Sequence, residues 1–315
     1  MIVAALLFVL AGCSKTETAI DENPGNQDQT EQPDENPDDE GEENETPDDD
    51  YADDPSGIPH NEIHYTTADG KTLAPQNNKA FGNATVTKNV YENGKGRLIF
   101  NDDLSTIGSE AFSKLSQLTS IVIPASVTEL GEGAFQECTG LTSVSLGSRL
   151  ETIGAYAFYN CSKLDSITIP ERVTLIDDYA FCNCKALAGQ LVIPDSTTEI
   201  GGYAFSYCSS LEEVAMGSGV TTVGEYAFYY CTGLKSITIS ESIIALRRSA
   251  FSRCSALTSI YCKAVTPPSS DTEVLANTNN APIYVPEKSV EAYKAAYYWE
   301  SYADRIFGYD FEEAE

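Results

Sequence analysis

Cysteine, tyrosine and histidine are the side chains whose chemistry could define a site here, and the 315-residue chain holds nine, eighteen and two of them. The run Gly-Glu-Tyr-Ala-Phe-Tyr-Tyr-Cys at 224–231 places Cys231 behind aromatic and small apolar neighbours. Such a thiol could be a nucleophile, a metal ligand, half of a disulfide or a piece of core. A cysteine nucleophile needs a base that makes thiolate, and no histidine follows Gly70. A zinc site needs several thiols converging on one point. His60 and His64 stand in Pro-His-Asn-Glu-Ile-His, which is not the His-Glu-x-x-His zinc order, and they read as part of a surface lead-in strand. These patterns predict no catalytic group, no metal and no cofactor.

The copies of that run show what positions the cysteines. Ala-Phe recurs with Phe112, Phe135, Phe158, Phe181, Phe205, Phe228 and Phe251, in steps of 23 residues and once of 24. Three residues beyond the last six stand Cys138, Cys161, Cys184, Cys208, Cys231 and Cys254, with Leu115 in the first copy. Six beyond each Phe is a leucine, from Leu118 to Leu257. Short alternations follow, such as Ile121-Val122-Ile123 and Ile167-Thr168-Ile169, and these predict strands with one face buried. Glycines such as Gly131, Gly201 and Gly224 then turn the chain into the next Ala-Phe. The one extra residue, within Ala188-Gly189-Gln190, is expected in a loop. A unit this short cannot bury its apolar residues alone, so stacked copies form a solenoid, here of seven coils of about 23 residues.

Helical spacing of about 100° per residue puts Ala227, Phe228 and Cys231 on one face and Tyr226, Tyr229 and Tyr230 on the other. The ladder cysteines then read as small core hydrophobes. Parallel stacking leaves their Cβ atoms too far apart for a relaxed disulfide, which wants about 3.8 Å, so reduced thiols are expected. Cys262 takes an inward strand position. Cys182 is expected to point outward beside Tyr179 and to be the most reactive thiol. Tyr156, Tyr179, Tyr203 and Tyr226 occupy one equivalent position in four successive coils, with Tyr159, Tyr207, Tyr229 and Tyr230 beside them. This stripe is the candidate binding surface, since tyrosine suits protein contacts and can stack on sugars. The competing reading is that the rings only shield the core edge. The outward strand positions, from Val122 and Ser145 to Thr238 and Tyr261, show no convergent polar site.

The unit Ala-Phe-x-x-Cys-x-x-Leu-x-x-Ile-x-Ile-Pro, closing on Ile-Gly, resembles the BspA-like branch of leucine-rich repeat proteins. The repeat match covers 107–262. Glu62–Lys71 and Tyr91–Gly96 are similar to the N-terminal lead-in of bacterial surface members, and Tyr284-Val285-Pro286 with Ser289–Lys294 to their C-terminal cap. The resemblance implies a right-handed leucine-rich-repeat solenoid, mainly β with short helical turns, flanked by a β lead-in (57–106) and a helical cap (263–315). A hairpin is expected at Tyr91–Lys95. Ser289 is expected to cap a helix over 290–296, with Trp299, Tyr302 and Ile306 covering the last coil.

The ends bear on location. Met1 to Gly12 carries an apolar run too short to span a bilayer, which needs about 20 residues. Leu10-Ala11-Gly12-Cys13 resembles the lipobox of bacterial lipoproteins, which implies a signal peptide at 1–12 and a lipid on Cys13. Residues 13–56 form an acidic tether without apolar surface enough to order it. From Thr16 to Gly70 there are 20 acidic residues and no Lys or Arg, which accounts for most of the net charge of −29. So acidic a chain is a poor partner for nucleic acid. The family resemblance implies a lipid-anchored protein of the bacterial envelope, displayed from the outer membrane. It implies binding to host matrix proteins or bacterial surface components; the alternative is a glycan-binding accessory of nutrient uptake.

Overall fold

Apolar residues at every second position build two parallel ladders, one on each of two sides of every coil. In this computed structural model the described residues are 57–271 and 273–312. The expected signal peptide, Cys13 and the expected acidic tether therefore lie outside them. The first ladder has eight two-residue strands, from Thr106–Ile107 through Leu175–Ile176 to Ser269–Ser270. Its inward residues Ile107, Leu130, Ile153, Ile176, Ile200, Val223 and Leu246 lie in register and are buried. The second ladder joins longer strands, among them Gly189–Ile193, Leu211–Met216, Ser236–Ile239 and Ser259–Cys262.

Between the ladders runs a column of phenylalanines. The rings from Phe112 to Phe251 stack face to face at 5.1–5.4 Å, and every one is fully buried. Burial of each such side chain contributes about 1.5–3 kcal/mol. Because every ring touches only the ring above and below, stability accumulates coil by coil.

The stack exceeds the seven coils expected and makes about nine turns. At the N-terminal end Ala80-Phe81 supplies one more turn, with Phe81 edge-on to Phe112 at 5.7 Å. The hairpin between them lengthens the step to the next Ala-Phe, so period alone conceals it. At the C-terminal end Val274 and Leu275 replace Ala-Phe. Phe251 N–H donates to the Val274 carbonyl as each Phe does to its successor coil. Ile260, Ile283 and Ile306 continue the inward strand positions in register, past the expected limit at residue 262.

Three local expectations need correction. The Ala-Phe segments are not helical: each alternates hydrogen bonds within its coil with bonds to the next. Ala227, Tyr229 and Cys231 donate to carbonyls three residues back, whereas Tyr226, Phe228 and Tyr230 donate to Arg248, Ala250 and Ser252. Residues 166–169 form no strand, and the second ladder is interrupted there; Ile167 is only half-buried. The neighbouring coil holds the extra residue as a bulge at Gly189-Gln190 inside a strand, not in a loop, and the register shift falls against Leu211–Met216 of the following coil.

Both ends are closed. Strand β1 (Glu62–Thr67) pairs antiparallel with Leu118–Val122 of the first coil. The hairpin of β2 (Val86–Glu92) and β3 (Lys95–Phe100) extends it through a turn at Asn93-Gly94. At the other end α1 (Val290–Ala295) and a 3-10 segment at Trp299–Arg305 pack Tyr293, Trp299 and Ile306 over the last turn. Ser289 precedes α1 but makes no capping bond, and its hydroxyl is buried without a partner. Its backbone is already helical (φ −103°, ψ −8°), which aims the side chain away from the free N–H groups.

Candidate functional site

The tyrosines gain their placement from backbone that bulky residues rarely adopt. Each coil bends twice through left-handed φ, two residues before and two after its central Phe. The first bend falls on Tyr156, Tyr179, Tyr203 and Tyr226, at φ 56–58°. The second falls on Tyr207 and Tyr230, both at 61°. The remaining bends are filled by Gly133, Asn160, Asn183 and Asn277, which tolerate such φ best, and by Glu110, Lys114, Glu137, Ser249 and Arg253. Tyrosine here costs conformational energy of order 1 kcal/mol, so six rings are held at bends where glycine or asparagine would fold with less strain.

Four of those rings form a continuous pile. Tyr156–Tyr179, Tyr179–Tyr203 and Tyr203–Tyr226 stack at 4.8, 4.7 and 4.8 Å. This matches the spacing of neighbouring strands, about 4.8 Å, so the ladder itself sets the stacking distance. Arg248 ends the pile with its guanidinium 6.0 Å from the Tyr226 ring centre. Tyr159 and Tyr229 stand edge-on against it at 5.6 and 5.4 Å. Tyr207 and Tyr230 lean together at 5.3 Å and are the two most exposed, each at 41%. Structure thus brings all eight sequence-predicted tyrosines into one patch. Partial burial and the neighbouring phenols raise the pKa of Tyr179, Tyr203 and Tyr207, which keeps these hydroxyls neutral donors.

This geometry decides what the patch can do. Within the pile each ring face is covered by the next ring, leaving edges and hydroxyls outward. A flat ligand cannot slide onto those faces, whereas a protein surface can meet a row of edges, phenol hydroxyls and the two tilted rings of Tyr207 and Tyr230.

The cysteines lie behind the patch and are free thiols. Each ladder thiol donates to the Phe carbonyl of the preceding coil: Cys138 to Phe112 at 2.9 Å, Cys231 to Phe205 and Cys254 to Phe228 at 3.1 Å. Burial pushes Cys138 up to about 12 and holds Cys161, Cys184, Cys208 and Cys231 well above their usual range. Cys182 is corrected: it is 5% exposed, and burial lifts it to about 11, so it is not a reactive surface thiol. It sits under the tyrosine patch, close to Tyr179 and Tyr207. Among the described residues no group of three or more His, Cys, Asp and Glu could hold a metal ion. No helix among them is long and apolar enough to cross a membrane.

Sequence reasoning missed a second aromatic cluster on the strand ladder. Tyr261 stacks on Tyr284 at 5.1 Å, and Tyr309 meets both. The signal was the 23-residue step from Ile260-Tyr261 to Ile283-Tyr284 and Ile306-Phe307, which persists after the Ala-Phe marker stops.

A family model described as the BspA type leucine rich repeat region matches residues 77–189 and 188–303, with six copies. A leucine rich repeat protein of T. pallidum is 26% identical over 51% of this chain and 64% of its own, at TM-score 0.38. One from Bacteroides ovatus is 24% identical over 64% and 47%, at TM-score 0.39. A leucine rich cell surface protein from Faecalibacterium prausnitzii is 20% identical over 80% and 93%, at TM-score 0.30. The chain spans less than two thirds of the length of the first two. No curated protein matches it.

Proposed function

The chain belongs to the BspA-type leucine-rich repeat family, and from that premise we propose that it is an envelope-anchored binding protein that captures a macromolecular partner on its tyrosine face. The observation that carries this reading is the clustering of the rings. Every coil strains its backbone at these bends, but charged, polar and glycine residues fill them elsewhere, and tyrosine fills six of them side by side. Ring stacking accounts for the four-ring pile. The exposed edges of Tyr207 and Tyr230 are left for a partner. The partner class that fits is protein, on a host matrix or a bacterial surface. Binding here is adhesion without chemistry. The short apolar leader ending at Cys13 and the acidic tether after it support display away from a lipid anchor.

The test is retention of immobilised matrix proteins and whole bacterial cells by the full chain. The Tyr207→Ala/Tyr230→Ala variant is expected to weaken capture about tenfold or more and to keep its melting temperature within about 4 °C, since both rings are half exposed. Capture unchanged in that variant overturns the assignment of the face. Capture of nothing overturns adhesion.

A further inference from the structure

The proposed function leaves the strand-ladder aromatic cluster unused. Ile260, Ile283 and Ile306 point inward on three adjacent strands, so Tyr261, Tyr284 and Phe307 stand in register on the outer side. Alternation along the last strand adds Tyr309 to that side, and Phe311 just beyond it meets Tyr261 and Tyr309. Between them Gly308 abuts the cap, where an added Cβ would lie 3.2 Å from the Glu287 Cα. Tyr309 meets Tyr261 at 5.2 Å and Phe311 at 4.9 Å, both edge-on, and Phe307 is 48% exposed.

Beside Tyr309 and Phe311 opens a cavity of about 410 Å³, inside the range of about 300–1,000 Å³ typical of small-ligand sites. Its remaining wall mixes Val265 and Pro286 with Lys263, Lys288, Glu287, Asp310 and Glu312. The rings here meet at angles, unlike those of the tyrosine pile, so ring surface is left facing the cavity that both Tyr309 and Phe311 line. Few ligand classes suit such a wall. An apolar ligand would strip water from the charged groups of this wall without replacing it. A polyanion would meet the carboxylates of Glu287, Asp310 and Glu312. A sugar ring offers C–H groups on one face to an aromatic ring. Its rim of hydroxyls can donate to Glu287 and accept from Lys288.

We propose that this cleft is a carbohydrate site which takes a neutral oligosaccharide, with sugar faces on Tyr309 and Phe311 and hydroxyls on Lys288 and Glu287. It is separate from the tyrosine patch and stands or falls independently of it.

Electrophoresis of the full chain through gels holding galactomannan, mixed-linkage glucan or dextran tests this, with polygalacturonate as the anionic comparison. At least one neutral polymer is expected to retard the protein. Phe311→Ala and Tyr309→Ala are each expected to weaken that retention about tenfold, and Tyr230→Ala to leave it intact. Lys288→Ala, at an exposed position, is expected to weaken it with no change in melting temperature, which separates lost contacts from lost folding. Retardation by none of the neutral polymers, or by polygalacturonate alone, overturns the proposal. So does retention that survives all three cleft substitutions or that Tyr230→Ala abolishes.

Discussion

Each ladder thiol from Cys161 onward sits against a carbonyl oxygen that already accepts a hydrogen bond. The Phe228 carbonyl, for example, takes the Cys231 N–H of its own coil and the Cys254 thiol of the next. A small side chain with one donor fits this position, and Thr278 fills it in the last turn, where its hydroxyl donates within its own turn to the Leu275 carbonyl. Cysteine here is backbone hydrogen bonding by other means, which explains its repetition without any chemistry. The pH consequence follows from the raised pKa values. An unfolded thiol ionises above its ordinary value near 9, while Cys138 in the fold holds its proton until about 12. The stability this gives is fully present below 9 and is lost as pH climbs towards 12, by up to about 1.4 kcal/mol per pH unit per thiol. Cys161, Cys182, Cys184 and Cys208 are raised in the same direction and add to the slope. The melting temperature is therefore expected to be flat from pH 7 to 8.5 and to fall steeply from 9 to 11. Cys138→Ala removes one contribution, so its stability deficit should narrow over that interval; a deficit constant with pH would refute the burial account. In the folded protein at pH 8, iodoacetamide should leave every cysteine from Cys138 to Cys262 unmodified, and rapid labelling of Cys182 would restore it as a surface thiol.

At the scale of the coil, legibility depended on which backbone rule a residue obeys. Core positions were readable because burial repeats every 23 residues whatever the local backbone: Ala227, Phe228 and Cys231 are all buried, as the spacing predicts. The helix assumed for that spacing was wrong. Two left-handed bends per coil are occupied by tyrosine, glutamate, lysine or arginine, and such residues carry no sign of positive φ. The candidate face survived the error, since bends and helices both separate Tyr230 from Phe228. The outward Cys182 and the strand expected at 166–169 did not: burial of Cys182 depends on the neighbouring rings of Tyr179 and Tyr207, and nothing in the repeat marks the missing strand. Glycines were read correctly as turning points, but for a different reason. Gly224 needs no special φ; a Cβ there would lie 2.5 Å from the Gly201 carbonyl carbon. Backbone of the preceding coil cannot yield without opening the ladder. Gly224→Ala is therefore expected to destabilise by about 1–3 kcal/mol, measured by urea unfolding. A neutral outcome would mean that neighbouring coils slide apart freely.

Over the whole molecule, a stack of coils has two open ends, and its stability is limited by how each is covered. The N-terminal end is closed by backbone pairing, with β1 lying antiparallel on the first coil and Phe81 and Phe100 turned across the phenylalanine column. The C-terminal end is closed mainly by side chains. Trp299 packs edge-on to Tyr293 at 5.0 Å and donates its indole N–H to the Pro268 carbonyl at 2.9 Å. Arg305, stacked on Tyr302 at 4.7 Å, donates to the Ala281 and Leu275 carbonyls of the last turn. Side-chain closure concentrates the energy in few residues, so the two ends should fail differently. Trp299→Ala is expected to cost about 3–5 kcal/mol. Because each coil contacts only its neighbours, the loss should first appear near the substitution. Native-state hydrogen exchange should show lost protection at Ser259–Cys262 and Ile283–Pro286 while Leu118–Val122 stays protected. The cleft lined by Tyr309 and Phe311 lies on this weaker end, so the same variant should also abolish any polysaccharide retention there. Uniform loss of protection along all coils would show instead that the stack unfolds as one unit, with the cap no more than one contributor among many.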